Sequence, residues 1–88
     1  MIIAIDVGNT RIKLGIHDGD VWLERGAFHT RDVSSLLELS YRWPDSARIV
    51  ACNVAGEAVE ARVEKALATR FAPLLWLRSS ASQCGVRN

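Results

Sequence analysis

The sequence predicts a small α/β domain built on a mixed five-stranded sheet. Three observations lead there. The first part of the chain holds three runs of strand character separated by two turn signals, Gly8-Asn9 and Asp18-Gly19-Asp20. Two stretches with apolar residues at helical spacing follow, each closed by a proline (Pro44, Pro73) and then by another apolar run. The resulting order, β-β-β-α-β-α-β, makes the first three strands antiparallel neighbours. The helical connections then bring the later strands into the same sheet in parallel. At 88 residues the chain is one domain, able to bury somewhat more than about 60% of its unfolded surface around a single modest core.

Ile2 to Val7 is β-branched and apolar on both faces, as a central strand is. Arg11 to His17 alternates: Ile12, Leu14 and Ile16 on one side, Arg11, Lys13, Gly15 and His17 on the other, the pattern of a strand with one buried face. Gly8-Asn9 between them is a hairpin signal, because both residue types tolerate positive φ. Val21 to Phe28, which contains Trp22, is a weaker third strand. Thr30 or Asp32 is expected to cap the first helix, with Val33, Leu36, Leu37 and Tyr41 as its apolar stripe. Ala47 to Asn53 is the fourth strand. Gly56 opens the second helix, whose stripe is Val59, Val63, Ala66, Leu67 and Arg70 or Phe71; Glu60, Glu64, Arg62 and Lys65 are expected on its wet side. Leu74 to Leu77 is the fifth strand. Arg78 to Asn88 is polar and serine-rich, without a periodic pattern. The whole is the layout of a ribonuclease-H-like lobe, the building block of the actin-like ATPase and sugar-kinase superfamily.

Composition narrows the function classes. The chain is 49% hydrophobic and 24% charged with a net charge of +1. Neither a nucleic-acid tail nor a polybasic membrane patch is expected. Every apolar run is shorter than the ~18 residues of a membrane span. Met1 leads directly into a strand, without a basic n-region and an apolar h-region, so the expected compartment is the cytoplasm. Cys52 and Cys84 lack metal-ligand spacing and are expected as reduced thiols, Cys52 as a small buried hydrophobe.

The chemistry gathers at the first turn. In open α/β sheets ligands collect at the carboxyl ends of parallel strands, and Asp6 ends the first strand. The turn after it offers backbone N–H groups from Gly8 through Arg11 to an anion, with no side chain at Gly8 in the way. Thr10 adds a hydroxyl, and Arg11 and Lys13 can neutralise phosphate charge. Asp6 would repel a bare phosphate and suits a magnesium ion or its water shell, since Mg²⁺ typically takes only one or two carboxylates. Residue types alone leave a plain alternative open, in which Gly8-Asn9 is only a turn, Asp6 a local cap and the cations a solvated strand face. Neither G-x-x-x-x-G-K-[ST] nor G-x-G-x-x-G occurs.

Asp6-Val7-Gly8-Asn9-Thr10-Arg11-Ile12-Lys13 resembles the first phosphate motif of type III pantothenate kinases, D-x-G-N-T-x-x-K. Acetate, sugar and chaperone relatives usually carry Gly-Thr without the asparagine, so Asn9 points within the superfamily. Trp43 and Cys52-Asn53-Val54 lie where family members have their fourth strand and the turn after it. Gln83-Cys84-Gly85-Val86-Arg87-Asn88 resembles the segment leading into the family's pantothenate-binding stretch. The resemblance implies ATP-dependent phosphorylation of pantothenate, the first step towards coenzyme A. With it come ATP, Mg²⁺, a monovalent cation (K⁺ or NH₄⁺) and a homodimer. It implies ATP and phosphate binding by Asp6 through Lys13, with Asp6 at the metal. The family's catalytic aspartate belongs to a G-x-D-R motif placed beyond Asn88. Residues 1–88 are therefore expected to be a single N-terminal lobe, without the second lobe and inactive alone. Asp18, Asp20, Asp32 and Asp45 fall in turns or caps and are expected to be solvated.

Two other classes compete. A ribonuclease-H-like nuclease would also place an acid at the end of strand one, but it needs a carboxylate cluster for two metals. Glu38 could join Asp6, whereas strand four ends in Cys52 and Asn53. A non-catalytic regulatory or assembly module could use Trp22, Trp43 and Trp76 at an interface, although aromatics in so small a chain more often fill the core. His17 and His29 are expected at surface or turn positions.

Overall fold

A computed structural model describes residues 1–71 and 73–77. Expectations for Arg78 to Asn88, Cys84 among them, lie outside the described residues. The strands are β1 (Ile2–Val7), β2 (Arg11–His17), β3 (Trp22–His29), β4 (Arg48–Asn53) and β5 (Leu75–Leu77); the helices are α1 (Ser34–Ser40) and α2 (Glu57–Phe71). They form one five-stranded sheet in the order β3-β2-β1-β4-β5. β1 pairs antiparallel with β2, β2 antiparallel with β3, and β1–β4 and β4–β5 are parallel. This is the expected mixed sheet of a ribonuclease-H-like lobe, with the most apolar strand at its centre.

Strand alternation sorts the two faces. Ile3, Ile5 and Val7 of β1, Ile12, Leu14 and Ile16 of β2, and Ile49 and Ala51 of β4 share one core with Val33 and Leu36, and with Val63, Leu67 and Phe71 of α2. Both helices therefore cover the same face of the sheet. Each of these larger side chains contributes about 1.5–3 kcal/mol by leaving water. Trp43, in the turn ahead of β4, is buried and its ring lies 5.8 Å from that of Phe71. On the opposite face Gly15 lets the Trp22 indole lie against β2. A Cβ built there would sit 2.6 Å from the ring. Trp22 is exposed nonetheless, with Arg25 over its ring and His17 edge-on to it.

Local details depart from expectation at three places. First, neither Thr30 nor Asp32 caps a helix. The chain enters α1 through a 3₁₀ turn, Thr30–Asp32, capped by His29, whose Nδ1 accepts from the Arg31 N–H at 3.2 Å. Second, that turn shifts the phase of the short α1. Val33 and Leu36 are buried as expected, but Ser40 is the next buried position while Leu37 and Tyr41 are exposed. Third, Glu60 and Glu64 are half-buried rather than wet: Glu60 accepts from Asn53 Nδ2 and Glu64 from Trp76 Nε1 at 2.7 Å. The remaining turns follow their residues. Asp18 Oδ1 accepts from the N–H groups of Asp20 and Val21, which holds the carboxyl below its ordinary range, and Gly19 has φ +115°. Gly56, at φ +101°, opens α2.

Arg70 locks the helical layer. Its guanidinium donates to the Ser40 carbonyl at 2.8 Å, the Trp43 carbonyl at 2.9 Å and Asp45 Oδ1 at 2.7 Å, over the Phe71 ring. The Ser40 carbonyl, which also accepts from the Trp43 N–H at 3.0 Å, and the Trp43 carbonyl thus both gain a cationic donor just beyond the end of α1. Cys52 is buried, as expected for a small hydrophobe. Among the described residues no helix is long and apolar enough to cross a membrane.

Candidate active site at the first hairpin

Asp6 stands at the carboxyl end of β1, opposite Lys13 of β2 and level with Cys52 of β4. Beyond it the chain turns through Asn9 and Thr10, and the Gly8 N–H donates to the Arg11 carbonyl at 2.9 Å. Gly8 does not need positive φ, contrary to the hairpin expectation. Among the described residues only Gly19 and Gly56 adopt it. What requires glycine is the close approach of the strands, since a Cβ at position 8 would lie 3.0 Å from the Arg11 carbonyl oxygen.

The turn's polar groups are divided unevenly. Three carbonyls around it are occupied: Val7 accepts from the Val54 N–H at 2.9 Å, Thr10 from the Thr30 N–H at 2.8 Å, and Gly8 from the Thr30 hydroxyl at 2.7 Å. Among the described residues the N–H groups of Asn9 and Thr10 donate to no protein acceptor. With the Gly8 and Thr10 carbonyls used and two successive N–H groups open, the turn offers donors to an approaching anion. Beside it lies a cavity of about 390 Å³ lined by Asp6, Gly8, Asn9, Thr10, Arg11, Lys13 and Val54.

The structure thus brings six of the eight expected site residues to one cavity. Val7 and Ile12 are fully buried and point into the core, so only their backbone belongs to the hairpin. Sequence reasoning missed Val54, although its place just after a parallel strand beside β1 is where such folds gather ligands. It also misread Thr30, which ties the hairpin instead of capping a helix.

Burial raises the Asp6 pKa, and the nearby Lys13 ammonium opposes that shift. A half-buried carboxylate held at a cost in this way gains from an arriving cation. One carboxylate, a threonine hydroxyl and open backbone donors suit a hydrated Mg²⁺ carried on phosphates. They do not suit a two-metal nuclease centre. The position on β4 level with Asp6 is Cys52, and among the described residues no three His, Cys, Asp or Glu side chains gather to hold a metal ion. A second cavity, about 450 Å³ and mostly apolar, shares Asp6 and Lys13 and extends over the open sheet face towards Trp22 and Leu77. The charged groups and open donors concentrate at the hairpin, which makes the smaller cavity the better candidate for chemistry.

A mixed-sheet α/β lobe with an acid and a turn of open N–H groups at the carboxyl end of its first strand has its polar groups where such folds gather ligands. Residues 2–88 match the sequence profile of the type III pantothenate kinase family, and the chain belongs to that family. It is 40% identical over its whole length to the type III pantothenate kinase of Aromatoleum aromaticum and 40% identical to that of Dechloromonas aromatica. The corresponding protein of Nitrosospira multiformis is 37% identical. The chain spans 36%, 37% and 34% of these relatives. A solved structure from a structural study of the Aquifex aeolicus PPX-GPPA enzyme superimposes with a TM-score of 0.49 at 13% identity, over 85% of this chain and 34% of that one.

Proposed function

We propose that this chain supplies the N-terminal phosphate-binding lobe of a kinase that transfers a phosphoryl group from ATP to pantothenate. The observation that carries the proposal is the hairpin of residues 6–13, where the Gly8 and Thr10 carbonyls are bonded, the Asn9 and Thr10 N–H groups have no acceptor among the described residues, and both residues line one cavity with Asp6 and Lys13. In this reading those amides and the Thr10 hydroxyl hold phosphate oxygens. Lys13 and Arg11 offset phosphate charge. Asp6 holds Mg²⁺ through its water shell, and the ion spreads the charge that develops during transfer. Family membership supports ATP as donor and pantothenate as acceptor.

A monovalent cation, a homodimeric whole protein and a cytoplasmic setting belong to the same proposal. Phosphoryl transfer needs positioning and charge stabilisation from both sides of the phosphates. The hairpin gives one side, and residues 1–88 by themselves are expected to bind nucleotide without turning over pantothenate. Equilibrium dialysis of the chain against Mg·ATP tests this. Saturable binding that Lys13→Ala and Asp6→Asn each weaken is expected; no binding, or binding indifferent to both substitutions, would overturn it.

The face of the sheet away from the helices favours a second reading, an assembly or regulatory module. Trp22, Leu75 and Leu77 are exposed on that face. Concentration-dependent self-association abolished by Trp22→Ser and Leu77→Ser, without nucleotide binding, would favour it over the kinase lobe.

A further inference from the structure

Thr30 lies 20 residues beyond the turn in sequence yet grips it at two points. It is buried, its N–H donates to the Thr10 carbonyl, and its hydroxyl donates to the Gly8 carbonyl at 2.7 Å. Thr30 does not line the hairpin cavity, whereas Gly8, Asn9 and Thr10 do. A trans peptide unit is planar, and its C=O and N–H point in opposite directions. Fixing the Gly8 carbonyl towards Thr30 therefore fixes the Asn9 N–H the other way, towards the cavity. Without the hydroxyl, the Gly8–Asn9 peptide could rotate and present a carbonyl oxygen where an anion is to be held. The N–H bond to Thr10 extends the β2–β3 ladder and would survive, so the hydroxyl alone sets this one peptide plane.

We propose that Thr30 is a positioning residue whose hydroxyl presets the Asn9 amide for phosphate. This rests on the reading of the hairpin as a phosphate site. It assigns a role to a residue outside the D-x-G-N-T-x-x-K motif and explains why a hydroxyl is buried at the junction of β3 and α1.

The test compares the chain with Thr30→Val, which removes the hydroxyl and keeps the branched shape, and Thr30→Ser, which keeps the hydroxyl. Backbone amides are followed by NMR during titration with Mg·ATP, well below the melting temperature of each variant. Thr30→Val is expected to bind about tenfold more weakly, the loss of roughly one hydrogen bond. It should keep the β1 and β4 amide shifts while the Asn9 amide moves or broadens before any ligand is added. Thr30→Ser should restore both. Equal binding by the unsubstituted chain and Thr30→Val would overturn the role of Thr30 alone. No binding by the unsubstituted chain would overturn the phosphate reading and this role together. Should Thr30→Val lose the native spectrum, protection of the Thr30 hydroxyl proton from solvent exchange decides instead. It is expected to rise on Mg·ATP binding, and an unchanged exchange rate would overturn the proposal.

Discussion

Replacing Gly8 by alanine tests how tightly the hairpin is built. The added Cβ would sit 3.0 Å from the Arg11 carbonyl oxygen, about 0.3 Å inside the closest ordinary carbon–oxygen approach. That oxygen is backbone, held by the Gly8 N–H at 2.9 Å, and cannot swing aside like a side-chain tip. Relief requires the turn to open and that bond to stretch. Overpacking of this kind costs about 1–3 kcal/mol. Because Gly8 has no positive φ, alanine also stiffens the unfolded chain, which returns about 0.4–1 kcal/mol. The midpoints leave a net loss of about 1.3 kcal/mol, equivalent to a melting temperature lower by about 5–10 °C for a domain of this size. Thermal denaturation followed by circular dichroism reads this directly, and Mg·ATP affinity should fall with it. Gly15→Ala is the control. Its Cβ would meet the Trp22 ring at 2.6 Å, but Trp22 is exposed and can turn away. Although Gly15 is buried, that variant should lose less stability than Gly8→Ala, because the group its Cβ meets is a side chain that can move and not backbone. If Gly8→Ala melted at or above the parent temperature with Mg·ATP binding intact, the hairpin would be a loose turn and the argument from close approach would fail.

Asp6→Asn separates stability from binding. The folded pKa of Asp6 is raised, so the native state holds its proton more readily than the unfolded chain. The charged form is a penalty fully present above the folded pKa and gone below the ordinary value of 3.8. Asp6→Asn should therefore be at least as stable as the parent at neutral pH in urea melts, with the difference shrinking as pH falls towards 3.8, while Mg·ATP binding is lost. Arg70→Met should cost about 1.5–3 kcal/mol in urea denaturation, because the Trp43 carbonyl loses its charged donor while the Ser40 carbonyl keeps the Trp43 N–H. Asp45→Asn should cost under about 1 kcal/mol, because that carboxylate is exposed.

The strands were legible because burial writes itself into the period of the sequence. β1 is apolar throughout, and Ile12, Leu14 and Ile16 alternate with Arg11, Lys13 and Gly15 as a one-sided strand must. The cavity-lining cluster proposed as the site was visible in the sequence because acid, glycine, hydroxyl and cation types fall within one turn. Sequence could not phase α1. The expected stripe of Val33, Leu36, Leu37 and Tyr41 spans two adjacent helical faces, and the fold buries the one that carries Val33, Leu36 and Ser40. Thr30 was misjudged for a similar reason. A threonine before an apolar run reads as a cap, and its actual acceptor, the Gly8 carbonyl, lies 22 residues away in sequence. The half-burial of Glu60 and Glu64 likewise depends on Asn53 and Trp76, partners that only the folded chain brings near.

The central claim is that residues 6–13 form an anion cradle and not merely a turn. A residue-resolved NMR titration of the chain with Mg·ATP tests it most directly. The account predicts saturable shifts concentrated at Gly8 through Lys13, largest at the Asn9 and Thr10 amides, with the core strands unmoved. No shift in that segment at millimolar nucleotide, or shifts centred instead on the open face around Trp22, would contradict it.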